Sequence, residues 1–248
     1  MTTTDAHRAE FDRLYDSLLK HLQLQGLQPK TIEAYSRAIR RLGEYFGHCI
    51  QALTSHQLTA YFHDLLTTHS WSSLKLDLYG YKFYTVHVLG LPWTNPKLIK
   101  APKVQRLPDI VTVEEANRLF AATRCLCYRV FFFVLYSLGL RLGECLALRV
   151  GDIDAARMRV HVRDAKGNRD RFVPLPQATL NVLRHFWAVH RNPELLFPSR
   201  AGGVAGAHCA KVPLDRAGVQ RALHQVVQGM GLKKTSTRTA FATAMPRT

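Results

Sequence analysis

The chain has 248 residues, a formal net charge of +16 at pH 7 and a pI near 10.0, and 47% of its residues are hydrophobic. The apolar content excludes a disordered chain, and the length suffices for one large or two modest domains. The excess of cations indicates a polyanionic partner.

Other protein classes are excluded by patterns that the sequence lacks. Residues 1–10 have no apolar signal core, and the longest apolar run, around 130–140, is shorter than the roughly 20 residues that cross a bilayer. The cysteines are odd in number and form no CxxC pair, which indicates reduced structural thiols, and the histidines show no HExxH spacing. We therefore expect a soluble, cytoplasmic protein with no membrane contact, no metal and no other cofactor.

The first 91 residues predict a small helical domain. Apolar residues at threes and fours indicate a first helix up to Gly26, and Pro29 opens a second that stops before Gly47. Thr54 and Gln57 match a capping box for a third helix, and residues 71–89 form a fourth.

Residues 92–108 are predicted to be an extended basic linker. This segment carries four prolines and regularly spaced cations without an opposing acid: Lys97, Lys100, Lys103 and Arg106. Two interpretations stay open, a solvated spacer and a strap that lies along a phosphate backbone.

A second domain is predicted over residues 109–248, and its most informative residue is Arg141. A capped helix starts after Thr112, and the apolar residues 130–138 predict a buried helix that Gly139 closes. Arg141 then begins another helix, where free backbone donors favour an anion such as a phosphate. The alternative is a structural ion pair with Glu144, one helical turn away.

The helical period then changes to a strand period. Met158, Val160 and Val162 alternate with basic residues, which predicts a half-exposed strand with a basic face. Residues 164–168 supply a turn with Lys166 at its tip, and residues 171–175 return as an edge strand. Helical sequence resumes at 177–190, breaks at the glycine-rich residues 200–206 and returns around 214–230.

Together these segments resemble the tyrosine recombinases, or phage integrases. The matching stretches are Gly139-Leu-Arg141-Leu-Gly-Glu144-Cys-Leu-Ala-Leu148, Asp152-Ile-Asp154, and residues 165–176 with Lys166. Residues 30–35, starting at Lys30, look like the usual entry to the second helix of the family's core-binding domain. The resemblance implies a mainly α fold with a small antiparallel β-sheet, in which a helical core-binding (SAM-like) domain precedes a catalytic domain.

The resemblance also implies an activity. The family cuts and rejoins double-stranded DNA through a 3′-phosphotyrosyl intermediate, without metal, inside a clamp of two domains. Arg141 matches the first catalytic arginine, Glu144 the acid that fixes it, and Lys166 the hairpin lysine that is usually assigned as general acid. Lys30 and the four linker cations are then expected to bind DNA.

The second catalytic box departs from the family pattern. Residues 238–243 align with Arg-His-Ser-Phe-Ala-Thr, so Arg238 matches the second phosphate arginine, but Thr235 and Thr239 stand where histidines belong. A threonine hydroxyl does not replace an imidazole as acid or base near neutral pH. Arg184 and His185 resemble this box only superficially, because they come too early in the chain, and we expect both to be exposed helix residues.

No residue before Thr248 matches the family's third box, its tyrosine nucleophile or its protomer-docking helix. We therefore expect a C-terminally truncated homologue, produced by a frameshift or an early stop, that binds DNA and does not complete catalysis alone. A homo-oligomer on DNA stays open, although it would lack the docking helix. The alternatives are a noncatalytic protein that occupies recombination sites or regulates an intact recombinase, and an unrelated helical regulator, which would have no need of the Lys166 hairpin.

Overall fold

A computed structural model of the chain describes residues 3–93, 111–165 and 169–231. The chain divides into two compact units, Met1–Val104 and Gln105–Thr248. This division falls inside the predicted linker, while the predicted domain limits at residues 91 and 108 stay predictions. Within the described ranges, no helix combines the length and the apolar character that crossing a membrane requires.

The described residues of the N-terminal unit form four helices, as the apolar spacing predicted. They are α1 (Thr3–Leu24), α2 (Pro29–Tyr45), α3 (Ser55–Thr68) and α4 (Trp71–His87). Pro29 occupies the first turn of α2, and both hydrogen bonds of the Thr54–Gln57 capping box are formed. Helix α2 packs against α1 and α4 around one core. The largest fully buried residues of this core include Tyr61, Phe62 and Tyr84.

A buried carboxylate crosslinks three of these helices. Asp77 of α4 accepts a 2.7 Å hydrogen bond from the Tyr61 hydroxyl of α3 and lies 3.3 Å from Nε of Arg41 in α2. Burial raises the pKa of Asp77 above its usual value, although both partners oppose the shift. Neither residue pattern nor spacing in the sequence indicated this cluster, because its members come from three separate helices.

Over its described residues, the C-terminal unit is mainly helical with one small sheet, as predicted. Its helices are α5 (Val113–Ala122), α6 (Leu126–Ser137), α7 (Leu142–Leu146), α8 (Gln177–His190), α9 (Gly203–Cys209) and α10 (Arg216–Gly229), with a 3₁₀ turn at Val150–Asp152. The strands are β1 (Ile153–Asp154), β2 (Arg159–Ala165) and β3 (Arg169–Pro174), in the antiparallel order β1-β2-β3.

The sheet register places alternate residues of β2 in the core. Val160 pairs with Val173 and Val162 with Arg171, and both valines of β2 are buried. The strand begins at Arg159, so the prediction that it includes Met158 is wrong. The carboxylate of Asp154 accepts the backbone N–H of Arg157 to close the preceding turn, and Met158 leaves that turn with a φ of 47°.

The glycine-rich segment also differs from its prediction. Residues 200–206 were expected to break the helical structure throughout, yet α9 begins at Gly203. Gly206 allows this helix to fold back closely, because a Cβ at this position would collide with the carbonyl oxygen of Ala201.

A buried asparagine holds the far end of α9. The Asn192 side-chain amide donates to the carbonyls of Ala207, His208 and Ala210. Its side-chain oxygen accepts the backbone N–H groups of Glu194 and Leu195. The indole of Trp187 donates to the backbone carbonyl of the same asparagine at 2.9 Å. One side chain therefore satisfies the backbone groups of two segments that local sequence does not connect.

Candidate functional site

The candidate site begins where α6 turns into α7. Gly139 has a φ of 59° and ends α6, and Arg141 is the extended N-cap of α7, with φ −71° and ψ 148°. The carboxylate of Glu144 accepts the backbone N–H of Arg141 at 2.8 Å. The predicted helix start is thus confirmed, and the arginine side chain leaves the chain just outside the helix.

Two arginines hold the carboxylate of Glu144. Nη1 of Arg141 donates to Oε1 at 2.7 Å. Nη1 and Nη2 of Arg171, on β3, donate to Oε1 and Oε2 at 2.9 and 2.8 Å. When the hydrogen bond from the Arg141 backbone N–H is included, each carboxylate oxygen of Glu144 accepts two hydrogen bonds. The three side chains, called the arginine–glutamate cluster below, carry a formal net charge of about +1 when all are ionised.

Glu144 is charged in this cluster despite its burial. Its side chain is 7% exposed, and burial on its own would raise the pKa. The hydrogen bonds from Arg171 and Arg141 outweigh burial and lower the pKa to about 2. The ion pair between Arg141 and Glu144, one of the two interpretations of Arg141, is therefore present in the structure.

The same arginine also keeps donors available for an anion. The Arg141 side chain is 56% exposed, against 34% for Arg171. Within the described part of the chain, only Nη1 of its guanidinium is engaged, which leaves Nε–H and the Nη2 donors open to solvent. The ion pair and a phosphate contact are therefore compatible, because they use different atoms of one guanidinium.

A second cation lies beside α7. Nη1 of Arg216, the first residue of α10, is 3.9 Å from the position that a Cβ on Gly143 would take. Arg216 is exposed, and no carboxylate of the described ranges forms an ion pair with it. Because Gly143 follows Arg141 by two residues, Arg216 adds positive charge next to the arginine–glutamate cluster.

Sequence reasoning missed the roles of Arg171 and Arg216. Arg171 and Val173 are two residues apart and lie on the partly buried face of β3. This period of two was the feature of the sequence that could have indicated an inward-facing Arg171. Its partner Glu144 is 27 residues upstream, so the contact depends on how the hairpin packs. We find no pattern in the sequence that marks Arg216.

The predicted basic face of β2 is more balanced than its sequence indicated. Arg159 pairs with Asp154 at 2.9 Å, and Arg163 pairs with Asp152 at 2.6 Å. His161 lies 2.8 Å from Asp170. The aspartates of the 152–154 motif thus neutralise cations that alternation alone would leave unpaired.

The remaining predicted site residues divide into two groups. Lys30 is exposed in the first turn of α2, in the other unit, and Arg184 and His185 are exposed on α8, as predicted. Several candidates lie outside the described residues: Lys97, Lys100, Lys103, Arg106, Lys166 and Arg238. Over the described ranges, His, Cys, Asp and Glu side chains form no group of three that could hold a metal ion.

Comparison with protein families matches both units. Residues 109–248 match the model of the phage integrase family, and residues 14–95 match the N-terminal SAM-like domain of phage integrases.

Curated proteins with similar sequences are named as integrases or recombinases. The integrase/recombinase y4qK of Sinorhizobium fredii is 27% identical over 207 residues, which cover 80% of this chain and 67% of the relative. The tyrosine recombinase XerA of Thermococcus kodakarensis is 31% identical over 183 residues, which cover 72% of this chain and 62% of the relative. The chain thus spans about two thirds of the length of these curated relatives.

Solved structures share the fold. The Tn1549 transposon integrase in complex with transposon right end DNA aligns with a TM-score of 0.70 at 15% identity, covering 94% of this chain and 84% of that one. A lambda integrase tetramer bound to a Holliday junction aligns with a TM-score of 0.68 at 15% identity, covering 93% and 71%. At these identities the alignments concern the fold alone.

Proposed function

We propose, since the chain belongs to the phage integrase family of tyrosine recombinases, that it binds double-stranded DNA at recombination sites and serves site-specific recombination and DNA integration. The observation that carries the proposal is the arginine–glutamate cluster, in which Arg141 is fixed by Glu144 and still exposes donors that no described residue engages. Such donors suit a phosphodiester oxygen.

In this cluster, one residue fixes the orientation of Arg141 and another preserves the net positive charge. Glu144 orients the guanidinium but would cancel its charge if it were the only partner. Arg171 supplies the compensating cation through two parallel hydrogen bonds, so one net positive charge remains for the DNA. When an added negative charge develops on a phosphate, a prepositioned cation stabilises it without reorganisation.

Other proposed contributions rest on the family match. Lys166 matches the general acid, Arg238 the second phosphate arginine, and Lys30, Lys97, Lys100, Lys103 and Arg106 are proposed DNA contacts. Arg216 is our addition, because its guanidinium lies beside the first turn of α7. The lambda integrase tetramer on a Holliday junction supports proposing that this chain also assembles on DNA.

We also propose that these 248 residues bind the phosphate without completing the covalent step. Thr235 and Thr239 replace the second-box histidines, and a threonine hydroxyl does not act as a general acid or base near neutral pH. These substitutions favour a second candidate function, in which the protein occupies recombination sites and interferes with an intact relative.

A nicked suicide DNA substrate separates the two candidates. Incubated with the protein and analysed on a denaturing gel, it should show no covalent adduct, while a gel-shift assay shows salt-sensitive binding. A tyrosine-linked adduct would overturn the noncatalytic proposal and support the recombinase. Failure to bind any DNA at low salt would overturn both.

The site itself is tested by Arg141→Ala. We expect DNA affinity to fall roughly 5- to 100-fold at constant salt, about 1–3 kcal/mol, because a fixed phosphate ligand is lost. Arg184→Ala, which removes an exposed arginine of α8, is the matched control and should bind like the parent. Equal losses from both variants would reduce Arg141 to a general surface charge.

A further inference from the structure

Two cysteines at the start of α6 lie in contact. Cys125 is the N-cap of this helix, and its Sγ is 3.3 Å from Sγ of Cys127. Both are free thiols. A disulfide needs an S–S distance of about 2.05 Å, so the two sulfur atoms would have to approach by roughly 1.2 Å. From this geometry we infer that Cys125 and Cys127 form a redox-reactive dithiol site that peroxides oxidise to an intramolecular disulfide.

The surroundings give a small oxidant access to the pair. Both cysteines line a pocket of 320 Å³ between the start of α6, the end of α8 and α9, whose other lining residues include Phe186, Val189 and Val204. Cys125 is half-buried and Cys127 is buried. Cys125 is therefore the thiol that a peroxide reaches first, and Cys127 is placed to resolve it.

The electrostatics of the site agree with this order. Burial opposes a thiolate at Cys125, but hydrogen bonds from the Tyr128 backbone and the Cys127 thiol, with the nearby Arg200 guanidinium, lower its pKa below the usual value. Burial and the neighbouring sulfur raise the pKa of Cys127 to about 12. Arg200 is held close by stacking over the Tyr128 ring, 5.4 Å from its centroid.

A metal site fits the pair less well. No third His, Cys, Asp or Glu of the described ranges completes a ligand group with it. Oxidation needs only the two sulfurs and an oxidant.

The reaction balances with hydrogen peroxide as the oxidant. The Cys125 thiolate attacks one peroxide oxygen, the O–O bond breaks, and Cys125 becomes a sulfenic acid as the leaving hydroxide takes a proton to form water. The Cys127 sulfur then attacks Sγ of Cys125, forms the S–S bond, loses its proton and expels a second water. Two thiols are oxidised by two electrons and one peroxide is reduced. The inference does not depend on the proposed DNA binding.

Mass spectrometry tests the inference on the full chain. After brief treatment with stoichiometric hydrogen peroxide, the protein is denatured, alkylated and digested with trypsin. Cleavage after Arg124 and Arg129 releases residues 125–129, which hold both cysteines. We expect this peptide to lose two hydrogens and to become resistant to alkylation. The rate of this change should be at least about tenfold higher than the rate at which Cys49 and Cys209 are oxidised. Those two cysteines are exposed and serve as internal references.

Two variants separate the roles. In Cys127→Ser, Cys125 should stop at sulfenic acid and be captured by dimedone, and in Cys125→Ser the peptide should stay reduced at Cys127. Circular dichroism verifies that both variants fold. If either variant unfolds, the comparison of oxidation rates among the cysteines of the unsubstituted protein still tests the inference. Oxidation of Cys49 or Cys209 first, or a disulfide from residue 125 to either of them, would overturn the inference.

Discussion

Glu144 accepts hydrogen bonds from two arginines at once, and this makes one buried carboxylate the residue on which the candidate site depends. A buried charge is stable only when its partners satisfy it, and removing one partner costs more than the pair contributes. At the residue scale, the site is therefore sensitive to changes that leave the surface charge nearly unaltered.

Acid should remove the contribution of Glu144 to stability. Its pKa of about 2 lies below the ordinary value of 4.5, so the contribution is complete above pH 4.5 and is lost as the pH falls towards 2. The difference corresponds to about 3 kcal/mol. Urea unfolding should show the parent more stable than Glu144→Gln near neutral pH, with the gap shrinking between pH 4.5 and 2. A gap independent of pH would contradict the assigned pKa.

Replacing Arg171 should reveal how much its two parallel hydrogen bonds contribute to stability and to DNA binding. Arg171→Lys keeps the charge but presents a compact ammonium, so we expect a loss of about 1–2 kcal/mol in unfolding free energy and weaker DNA binding. The matched control is Arg157→Lys, because Arg157 pairs with Asp154 at 3.4 Å while 70% exposed, and it should change stability by less than about 0.5 kcal/mol. Similar losses in both variants would mean that bidentate geometry is unimportant.

The sequence predicted Arg141 and Glu144 because their contact spans one helical turn, which local spacing reveals. Arg171 and Arg216 were missed because their contacts depend on how β3 and α10 pack against α7. The same limit applies to the acids that pair with the cations of β2.

At the scale of elements, local chemistry accounts for most helix limits. The capping boxes at Thr54 and Thr112, Pro29 and Gly139 each act through neighbours in the chain, and all four were predicted correctly. Helix α9 was missed because its support comes from Asn192, which caps it from a distance. Tertiary hydrogen bonds overrode the low helix propensity of its glycines.

Gly206 provides a test of this close packing. Gly206→Ala places a Cβ against the Ala201 carbonyl, and we expect a loss of about 1–3 kcal/mol. Gly229→Ala is the matched control, because no atom lies within 4 Å of its added Cβ in α10. It should be neutral or stabilise by up to about 1 kcal/mol. Thermal unfolding measures both, and equal stability of Gly206→Ala would show that the α9 turn relaxes easily.

At the scale of the whole molecule, each unit has its own hydrophobic core, and the mainly α architecture with a small antiparallel sheet is confirmed. Apolar periodicity predicted this class because it reports which faces are buried. The net charge of +16 predicted a polyanionic partner, but composition does not reveal which cations are already paired.

Salt dependence should distinguish paired from unpaired cations. If Lys30 contacts a phosphate, Lys30→Ala should reduce the slope of log K against log salt concentration by about 0.9. Arg37→Ala is the control on the same helix, because its guanidinium already pairs with Glu33 at 2.6 Å, and it should change the slope less. Fluorescence anisotropy between 50 and 200 mM salt measures the slope. Equal effects would argue against a specific contact by Lys30.

The hydrogen bond from Trp187 to the backbone of Asn192 also provides an optical reporter. The chain has three tryptophans, and the other two, Trp71 and Trp93, pack against the core of the N-terminal unit. Replacing both by phenylalanine would confine tryptophan emission to the C-terminal unit, and Trp187→Phe would confine it to the N-terminal unit. Because the tryptophans are divided between the two units, the fluorescence of these two variants follows each unit separately within one intact chain.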